Sequence, residues 1–367
     1  MPPIRVTAAA RLAAGVVLTL VFGLLSAVPA DAKAHAWTAL TSGPEIEARP
    51  VASPDGRYVL VDTLSADQQG PSHLVLWSVA GYPIRDLAAI SSYLSPAWSP
   101  DSSRFIVYAA MNGVPGLYRV DVASGETRQL LATGSGFISD YSWSPDGRRI
   151  AVALASFQPV LTRSLVEITT DGSAAVTMPT AAGYVDDVAW SPTGQDIAYS
   201  LSPTEFDPAR SVHLIHADGS ADRTLIGGSA DPVSLGGQHL HWSPEGSRIA
   251  FVMSPNPAAA VDAYVVDTGT GRLTNLTART AASDLILTGP VWSPDGKQLL
   301  LSYSDNSDYD IYPIATVRAD GSQWTRTAAT GEDPVWLNGK RLAILFCSWT
   351  DPLNVNYNIY ELLTAPR

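Results

Sequence analysis

Apolar and polar residues alternate along the chain in short runs that are separated by turn residues. Runs such as Arg149-Ile150-Ala151-Val152-Ala153 and Ile197-Ala198-Tyr199-Ser200 have the alternation and the β-branched and aromatic content of β-strands. No stretch keeps the longer period of an amphipathic helix. The pattern therefore predicts an all-β protein in which helices are nearly absent.

A turn motif built on Trp-Ser-Pro-Asp-Gly recurs along the chain and groups the strands into units. Six copies are plain, at 53–56, 98–101, 143–147, 190–194, 242–246 and 292–296, and a degenerate seventh runs from Pro334 to Lys340. Pro fixes φ at the first corner and Asp-Gly accepts the positive φ of a tight turn, so each copy predicts a hairpin. Successive copies lie about 44 to 52 residues apart, which is the length of one four-stranded propeller blade.

These units predict a seven-bladed β-propeller of four-stranded antiparallel blades. The seventh unit runs through its third strand, Asn358-Ile359-Tyr360-Glu361-Leu362, and shows no fourth, whereas a strand-like piece from Ala36 to Thr41 precedes the first unit. We expect this N-terminal strand to close the last blade. Such a closure would also remove an exposed sheet edge.

The repeated Trp-Ser-Pro-Asp-Gly turn, the apolar strand after it and the Asp310-Ile311-Tyr312 type of strand resemble the TolB-like propellers. Their tandem units are known as WD40-like or PD40 repeats. The resemblance covers essentially the whole chain after the first few tens of residues, and it implies the propeller fold. It does not select a function, because the same unit occurs in periplasmic translocation proteins, in serine-peptidase propellers and in certain polysaccharide lyases.

Residues 1–34 predict a secretory signal peptide. Arg5 and Arg11 precede an apolar stretch from Leu12 to Ala27, and Ala30-Asp31-Ala32 offers a small-residue cleavage site. The alternative is a retained anchor, although about sixteen apolar residues are fewer than the roughly twenty of a spanning helix. We expect residues 35–367 to form a single propeller domain that is secreted, periplasmic or otherwise in the extracellular cell envelope, with no lipoprotein cysteine.

The formal net charge of −12 excludes a nucleic-acid partner, because such a protein needs a basic stripe to displace counterions from phosphate. The sequence also contains no G-x-S-x-G elbow, H-E-x-x-H pair, phosphate loop or dinucleotide fingerprint. The recurring aspartates of the turns and the recurring tryptophans are interpreted as turn and core residues. These observations favour a binding role over catalysis.

The residue three positions before each motif Trp, or before Ala52 in the first copy, is the candidate for ligand binding, because a connector enters the innermost strand there, near one mouth of a propeller channel. In chain order this position holds Arg49, Ser95, Asp140, Asp187, His239, Gly289 and Asp333. Convergent polar groups at a channel mouth can hold a ligand or a cation. The candidate ligand-binding residues are Arg49, Asp140, Asp187, His239 and Asp333, and the alternative is that they cap the strands or bind only water.

His239 and His241 share one face of the first strand of the fifth unit because strand side chains alternate. With a carboxylate they could form a transition-metal site. The polysaccharide lyases that share the repeat use histidines and a glutamine around a metal, and Gln238-His239 is similar to that set. No cofactor is predicted beyond this possible divalent cation. A second pair, His213 and His216, is spaced to lie on opposite faces of its strand.

Three functions stay open from the sequence. The first is a non-enzymatic binding or scaffold module that presents its channel-mouth face to a protein or glycan of the cell envelope. The second is a metal-assisted lyase or hydrolase acting on a sugar through His239 and His241. The third is a propeller without a channel ligand whose blade edges bind a partner. The oligomeric state is not predicted.

Overall fold

The computed structural model describes residues 37–39, 46–64, 73–87, 90–92, 94–158, 160–205, 209–227, 233–235, 240–254, 261–278, 285–286, 289–304, 312–330, 332–338, 341–351 and 354–363. Strands and turns make up these residues, and none of them lies in a helix. No helix in the described part is therefore long and apolar enough to cross a membrane. The prediction of an all-β protein is confirmed, and the predicted signal peptide at 1–34 lies outside the described residues.

The strands are numbered in chain order, beginning with β1 (Trp37–Ala39). The first motif unit contains β2 (Ile46–Ala52), β3 (Tyr58–Leu64), β4 (His73–Ser78) and β5 (Tyr82–Leu87). The second contains β6 (Ile90–Ser92), β7 (Ala97–Trp98), β8 (Arg104–Met111), β9 (Val114–Asp121) and β10 (Thr127–Ala132). The third contains β11 (Phe137–Trp143), β12 (Arg149–Ser156), β13 (Thr162–Thr169) and β14 (Ala175–Thr177). The fourth contains β15 (Tyr184–Trp190), β16 (Asp196–Ser202), β17 (Ala209–His216) and β18 (Arg223–Ile226).

The remaining units follow the same plan. The fifth contains β19 (Val233–Leu235), β20 (His241–Trp242), β21 (Arg248–Ser254), β22 (Asp262–Asp267) and β23 (Leu273–Asn275). The sixth contains β24 (Leu285–Ile286), β25 (Val291–Trp292), β26 (Gln298–Ser304), β27 (Pro313–Arg318) and β28 (Thr325–Thr330). The seventh contains β29 (Glu332–Asn338), β30 (Arg341–Asp351) and β31 (Asn354–Leu363). We call these units repeats one to seven.

The described strands form antiparallel sheets in which each repeat runs outward from its motif strand, as in β2-β3-β4-β5 and β11-β12-β13-β14. The propeller of four-stranded antiparallel blades is confirmed, but the predicted count of seven blades is wrong, because the strands assemble into six sheets. The reason is the short strand β19, which pairs with β17 and also with β21. It joins repeats four and five into one nine-stranded sheet.

The N-terminal strand completes the last sheet. β1 pairs antiparallel with β31, with Trp37 opposite Leu362 and Ala39 opposite Tyr360, and the sheet order is β1-β31-β30-β29. This confirms the predicted closure for the described residues of the N-terminal piece. β1 thereby covers the outer edge of β31, so that this edge of β31 is not left open to pair with another chain.

The motif turns lie at one end of the sheets, which we call the turn edge. In repeat three the Ser144 hydroxyl donates to Asp146 at 2.6 Å, and the Asp146 carboxylate accepts the Arg148 amide at 3.0 Å. Gly147 has a φ of 68°, a left-handed conformation that suits glycine. In repeat two the pKa of Asp101 is lowered to about 2, and the hydrogen bond from the Ser99 hydroxyl is the largest cause. The interpretation of these aspartates as turn residues is confirmed.

The motif tryptophans join neighbouring repeats. The indole N–H of Trp143 donates to the Ala97 carbonyl at 2.9 Å, and the indole of Trp98 donates to the Val51 carbonyl at 3.0 Å. Both rings are buried in the apolar layers between sheets. Each indole thus packs between two repeats and satisfies one inner-strand carbonyl, as expected for core residues.

Candidate functional site

The innermost strands are irregular at the predicted site residues. The pairing register of β2 shifts between Ala48 and Val51, that of β11 between Ile138 and Asp140, and that of β15 between Val185 and Val188. Such bulges leave extra residues on the inner strand and re-aim their side chains. We call this end of the sheets, opposite the motif turns, the bulge edge.

The same irregularity recurs in the other repeats. β29 shifts register between Glu332 and Val335, the segment that holds Asp333. In repeats two, five and six the inner strand is divided into two short strands, and both of them pair with the same neighbouring strand. This neighbour is β8 in repeat two, β21 in repeat five and β26 in repeat six. In repeats five and six the motif Trp lies on β20 and β25. The sequence position chosen as a candidate site is therefore the point at which the described inner strands depart from regular pairing.

Arg49 lies on the first of these bulges. Its φ of 49° is in the left-handed region, which is uncommon for residues other than glycine and concentrates at functional sites. The guanidinium Nη2 lies 2.6 Å from Oδ2 of Asp62, and the Arg49 side chain is 36% exposed whereas that of Asp62 is 3% exposed. The Arg49 guanidinium is thus ion-paired with the buried Asp62 carboxylate, while part of the Arg49 side chain is exposed to solvent.

Tyr141 connects repeats two and three. Its hydroxyl donates to the Ser95 carbonyl at 2.6 Å and accepts the Tyr108 amide at 3.2 Å. Burial raises the pKa of Tyr141; the charge of Asp140 adds to this rise and the charge of Arg49 opposes it. The structure therefore brings Ser95 and Asp140, two of the predicted positions, into hydrogen bonds with Tyr141.

Asp140 ties repeat three to repeat four. One carboxylate oxygen accepts the Tyr141 amide at 2.8 Å, and the other accepts the amide of Val188, in the next inner strand, at 2.9 Å. Asp140 is only 6% exposed. A buried carboxylate with charge-assisted bonds of this kind has a strong structural function, and a role in ligand binding stays a prediction.

Asp186 and Asp187 form a buried carboxylate pair on the bulge of β15. Asp187 accepts the Ser200 hydroxyl at 2.7 Å and lies 3.8 Å from Arg210. Asp186 accepts the Ser202 hydroxyl at 3.1 Å, lies 3.5 Å from Arg210 and is in contact with Arg163 of the preceding repeat. Two guanidinium groups thus offset two adjacent buried negative charges.

These charged residues form one set at the bulge edge. We call it the bulge network, and it consists of Arg49, Asp62, Asp140, Arg163, Asp186, Asp187 and Arg210. Four carboxylates face three guanidinium groups, so the set carries a formal charge of −1. Sequence reasoning found Arg49, Asp140 and Asp187. It missed Arg163 and Arg210, because they lie at the starts of the third strands, outside the motif.

The other predicted site residues are only partly described. His239 lies outside the described residues, and for Asp333 the structure describes the backbone of β29 without the side chain. His241 lies half-buried on β20, where its carbonyl accepts the Trp292 indole at 2.9 Å. The described residues contain no group of three His, Cys, Asp or Glu side chains that could hold a metal. The metal site at His239 and His241 therefore stays a prediction.

An exposed apolar patch adjoins the bulge network. Phe157 and Val160, between β12 and β13, are 46% and 66% exposed. The ring of Phe157 lies 5.8 Å from that of Phe137 at the start of β11, and Arg163 lies 5.4 Å over the Phe137 ring. We call Phe137, Phe157 and Val160 the Phe157 patch. Nothing in the motif pointed to it, because its exposed residues belong to a connection that differs between repeats.

Comparison with known proteins supports the fold. No family model matches the chain, and no curated protein matches it in sequence. Among solved structures, an oligogalacturonate lyase in complex with manganese is 15% identical, with a TM-score of 0.70 over 91% of this chain and 94% of that one. The oligogalacturonate lyase from Vibrio parahaemolyticus is 14% identical, with a TM-score of 0.68 over 91% and 95%.

A TolB protein also resembles the chain. TolB from Acinetobacter baumannii is 15% identical, with a TM-score of 0.50 over 89% of this chain and 72% of that one. At these identities the likeness extends to the fold alone. The structural neighbours thus include TolB propellers and oligogalacturonate lyase propellers, and the assignment to the PD40 repeat family stays a prediction.

Proposed function

We propose that the chain is an exported binding module that contacts a protein of the cell envelope through its bulge edge. The observation that carries this proposal is the exposure of Phe157 and Val160 directly beside buried, ion-paired charges. Protein interfaces combine an apolar centre with a polar rim, and aromatic residues and Arg are enriched in them. The Phe157 patch and the neighbouring Arg163 provide this combination.

The bulge network supports the patch as a rigid frame. Asp140, Asp186 and Asp187 are each at most 7% exposed and are held by backbone amides, hydroxyls or arginines. Such fixed side chains lose little conformational entropy when a partner binds beside them. Among the predicted ligand residues, Arg49 is the one whose described side chain offers substantial accessible surface. We therefore place the partner contact on Phe157, Val160 and Arg49.

Site-specific photocrosslinking tests this proposal. A benzophenone amino acid is placed at position 160 in the full chain, and at position 176 in a matched control. Val160 and Val176 are 66% and 60% exposed and belong to the same repeat, but Val176 lies on the outer strand β14. In the producing cells, we expect position 160 to crosslink one envelope protein that position 176 does not reach.

A second variant checks that the patch supplies affinity. We expect Phe157→Ala to reduce the yield of this crosslink at least about tenfold, since an anchoring aromatic residue contributes about 2 kcal/mol or more. Equal crosslinking from both positions, or none from position 160, would contradict the proposal. A glycan adduct at position 160 in place of a protein would assign the face to carbohydrate binding.

A metal-assisted lyase is the second candidate, because a manganese-bound oligogalacturonate lyase shares the fold over most of both chains and His241 lies on an inner strand. The described residues do not by themselves complete a metal site, so no reaction step is derived through one. Metal analysis after dialysis against manganese tests this candidate. Retention of about one equivalent that His241→Gln abolishes would support the lyase, and a metal-free wild-type chain would oppose it.

A further inference from the structure

Three polar side chains of repeat four lie next to one another in space, in the order hydroxyl, imidazole and carboxylate. Ser211 and His213 project to the same face of β17, and the Ser211 Oγ lies 2.9 Å from the His213 Nε2. The His213 Nδ1 lies 3.6 Å from Oδ1 of Asp222, which precedes β18. Nucleophile, base and orienting acid stand in this order in catalytic relays, which are recognised by their geometry and not by the fold or the positions in the chain.

Neighbouring groups fix the carboxylate and the imidazole. The Tyr199 hydroxyl donates to Asp222 Oδ1 at 2.7 Å, and the Ala181 amide donates to Oδ2 at 2.8 Å. The imidazole of His213 stacks on the Tyr199 ring with centroids 5.0 Å apart. Positions held in this way by hydrogen bonds and packing are the support that a catalytic group requires.

Electrostatics favour a neutral imidazole. Burial lowers the pKa of His213, and the charge of Asp222 opposes this shift without overcoming it. His213 is therefore mainly neutral near pH 7, and in the tautomer with its proton on Nδ1 this proton faces the Asp222 carboxylate. Nε2 is then free to accept the Ser211 proton. The 3.6 Å gap to Asp222 is too long for a hydrogen bond, and such gaps in ligand-free enzymes often shorten when substrate binds.

Repeat three shows that the scaffold does not need these polar groups. It has the same pairing register, with Leu154 opposite Ser164 where repeat four has Leu201 opposite Ser211. Ser164 is thus the counterpart of Ser211, whereas Val166 occupies the position of His213. A sheet of the same form packs with an apolar residue at that place. The fold alone therefore does not account for a buried histidine beside the serine.

Ser211 is the more accessible end of this arrangement. Ser211 is partly exposed, whereas His213 is 6% exposed. Gly227 lies beside it with a φ of 83°, and a Cβ atom there would come within 3.3 Å of the Ser211 Cβ. A larger residue at this position would crowd the backbone and Cβ of Ser211. Among the described residues, Ser211 is thus the more exposed partner and the imidazole is the buried one.

We infer that Ser211, His213 and Asp222 form a relay that hydrolyses small carboxylic esters. The Ser211 Oγ bonds to the acyl carbon as its proton passes to His213 Nε2. The ester C–O bond then breaks, and the leaving alcohol takes that proton. Water attacks the acyl-serine, gives its proton to Nε2, and the acid leaves as the serine oxygen recovers a proton. Asp222 is a positioning residue that stabilises the imidazolium.

Labelling with a fluorophosphonate probe tests this site directly. We expect the purified chain to bind one equivalent of probe, which peptide mass spectrometry would place on Ser211. Ser211→Ala should lose the label, and Ser164→Ala should keep it, because Ser164 has the same place in repeat three without a histidine. An unlabelled wild-type chain, or equal labelling of the two variants, would overturn the inference.

A kinetic readout separates the relay from a structural hydrogen-bond network. With p-nitrophenyl acetate as substrate, the wild-type rate should rise with pH as His213 loses its proton, and reach a plateau near neutrality because burial lowers the pKa of His213. Asp222→Asn should reduce the plateau rate about 10²- to 10⁴-fold. It should also move the midpoint to lower pH, because the carboxylate charge that raises the pKa is removed.

A cysteine variant keeps the test decisive even where another variant fails to fold. Ser211→Cys differs from the wild type by one atom, and its thiol would lie beside His213, which promotes the thiolate. We expect it to react with iodoacetamide at least about tenfold faster than Ser164→Cys at pH 7. Equal rates would show that His213 does not activate this position.

Discussion

Repeats three and four share one backbone plan but differ in how their side chains join their neighbours. In repeat three, Asp140 reaches the Val188 amide of the next repeat at 2.9 Å. Its counterpart in repeat four, Asp187, accepts the Ser200 hydroxyl of its own sheet at 2.7 Å. Among the contacts that the structure describes, the same residue type at the same bulge thus reaches the next repeat in one case and a hydroxyl of its own sheet in the other.

The motif tryptophans of the two repeats differ in the same way. The Trp143 indole donates to the Ala97 carbonyl at 2.9 Å, whereas the indole nitrogen of Trp190 is buried without a hydrogen-bond partner. Repeat four instead has the Tyr199–His213 stack, which repeat three lacks. The motif therefore determines the backbone and the buried ring, while the polar contacts of each repeat depend on residues outside it.

Removing the two bulge aspartates should give the largest difference between the repeats. We expect Asp140→Ala to lower the free energy of unfolding by about 3 kcal/mol, because it leaves the buried Val188 amide and the Tyr141 amide without their acceptor. Asp187→Ala should cost about half as much, since Ser200 is a hydroxyl that can turn to another acceptor. Urea unfolding followed by Trp fluorescence would measure both.

A turn aspartate provides the control for this comparison. Asp146 occupies the turn edge of repeat three, where it accepts the Ser144 hydroxyl and the Arg148 amide close to solvent. Asp146→Ala should cost no more than about 1 kcal/mol, because water can replace these bonds at an exposed turn. Equal losses at positions 140 and 187 would show that the link between the two repeats carries no special share of the stability.

Much of the fold could be predicted because the chain repeats a local signal. Pro and Asp-Gly determine the turn, and the alternation after it determines the strand. The closing strand followed from counting strands at the two ends, and β1 pairs with β31 as expected. The blade count failed because β19 pairs with strands of two repeats. That pairing depends on contacts between distant segments, which no turn motif records.

The positions of the irregular inner-strand pairing could be predicted from the sequence, the side-chain contacts there could not, and the ligand-binding role of these residues stays a prediction. The spacing to each Trp located the bulges, because the repeat fixes the strand on which they occur. It could not show that Asp140 accepts the Val188 amide, or that Arg163 of one repeat meets Asp186 of the next. The spacing of His213 and His216 did predict opposite faces, and His213 is buried while His216 is exposed. Asp222 is a neighbour of His213 only through sheet pairing.

A smaller difference between the repeats should appear when each tryptophan is replaced by phenylalanine. Trp143→Phe and Trp190→Phe remove the same atoms from buried rings, but only the first breaks a hydrogen bond that this structure describes. We expect Trp143→Phe to cost about 1 kcal/mol more than Trp190→Phe, because the Ala97 carbonyl loses its donor. The midpoints of urea unfolding would give this difference.

Trp98 offers an independent check on that expectation, because its indole donates to the Val51 carbonyl at 3.0 Å. Trp98→Phe should resemble Trp143→Phe. The Trp190 ring has one further contact, since the Arg149 guanidinium lies 4.8 Å over it, and a phenylalanine ring retains part of that attraction. A loss at position 190 as large as at positions 98 and 143 would mean that ring packing, and not the indole hydrogen bond, holds neighbouring repeats together.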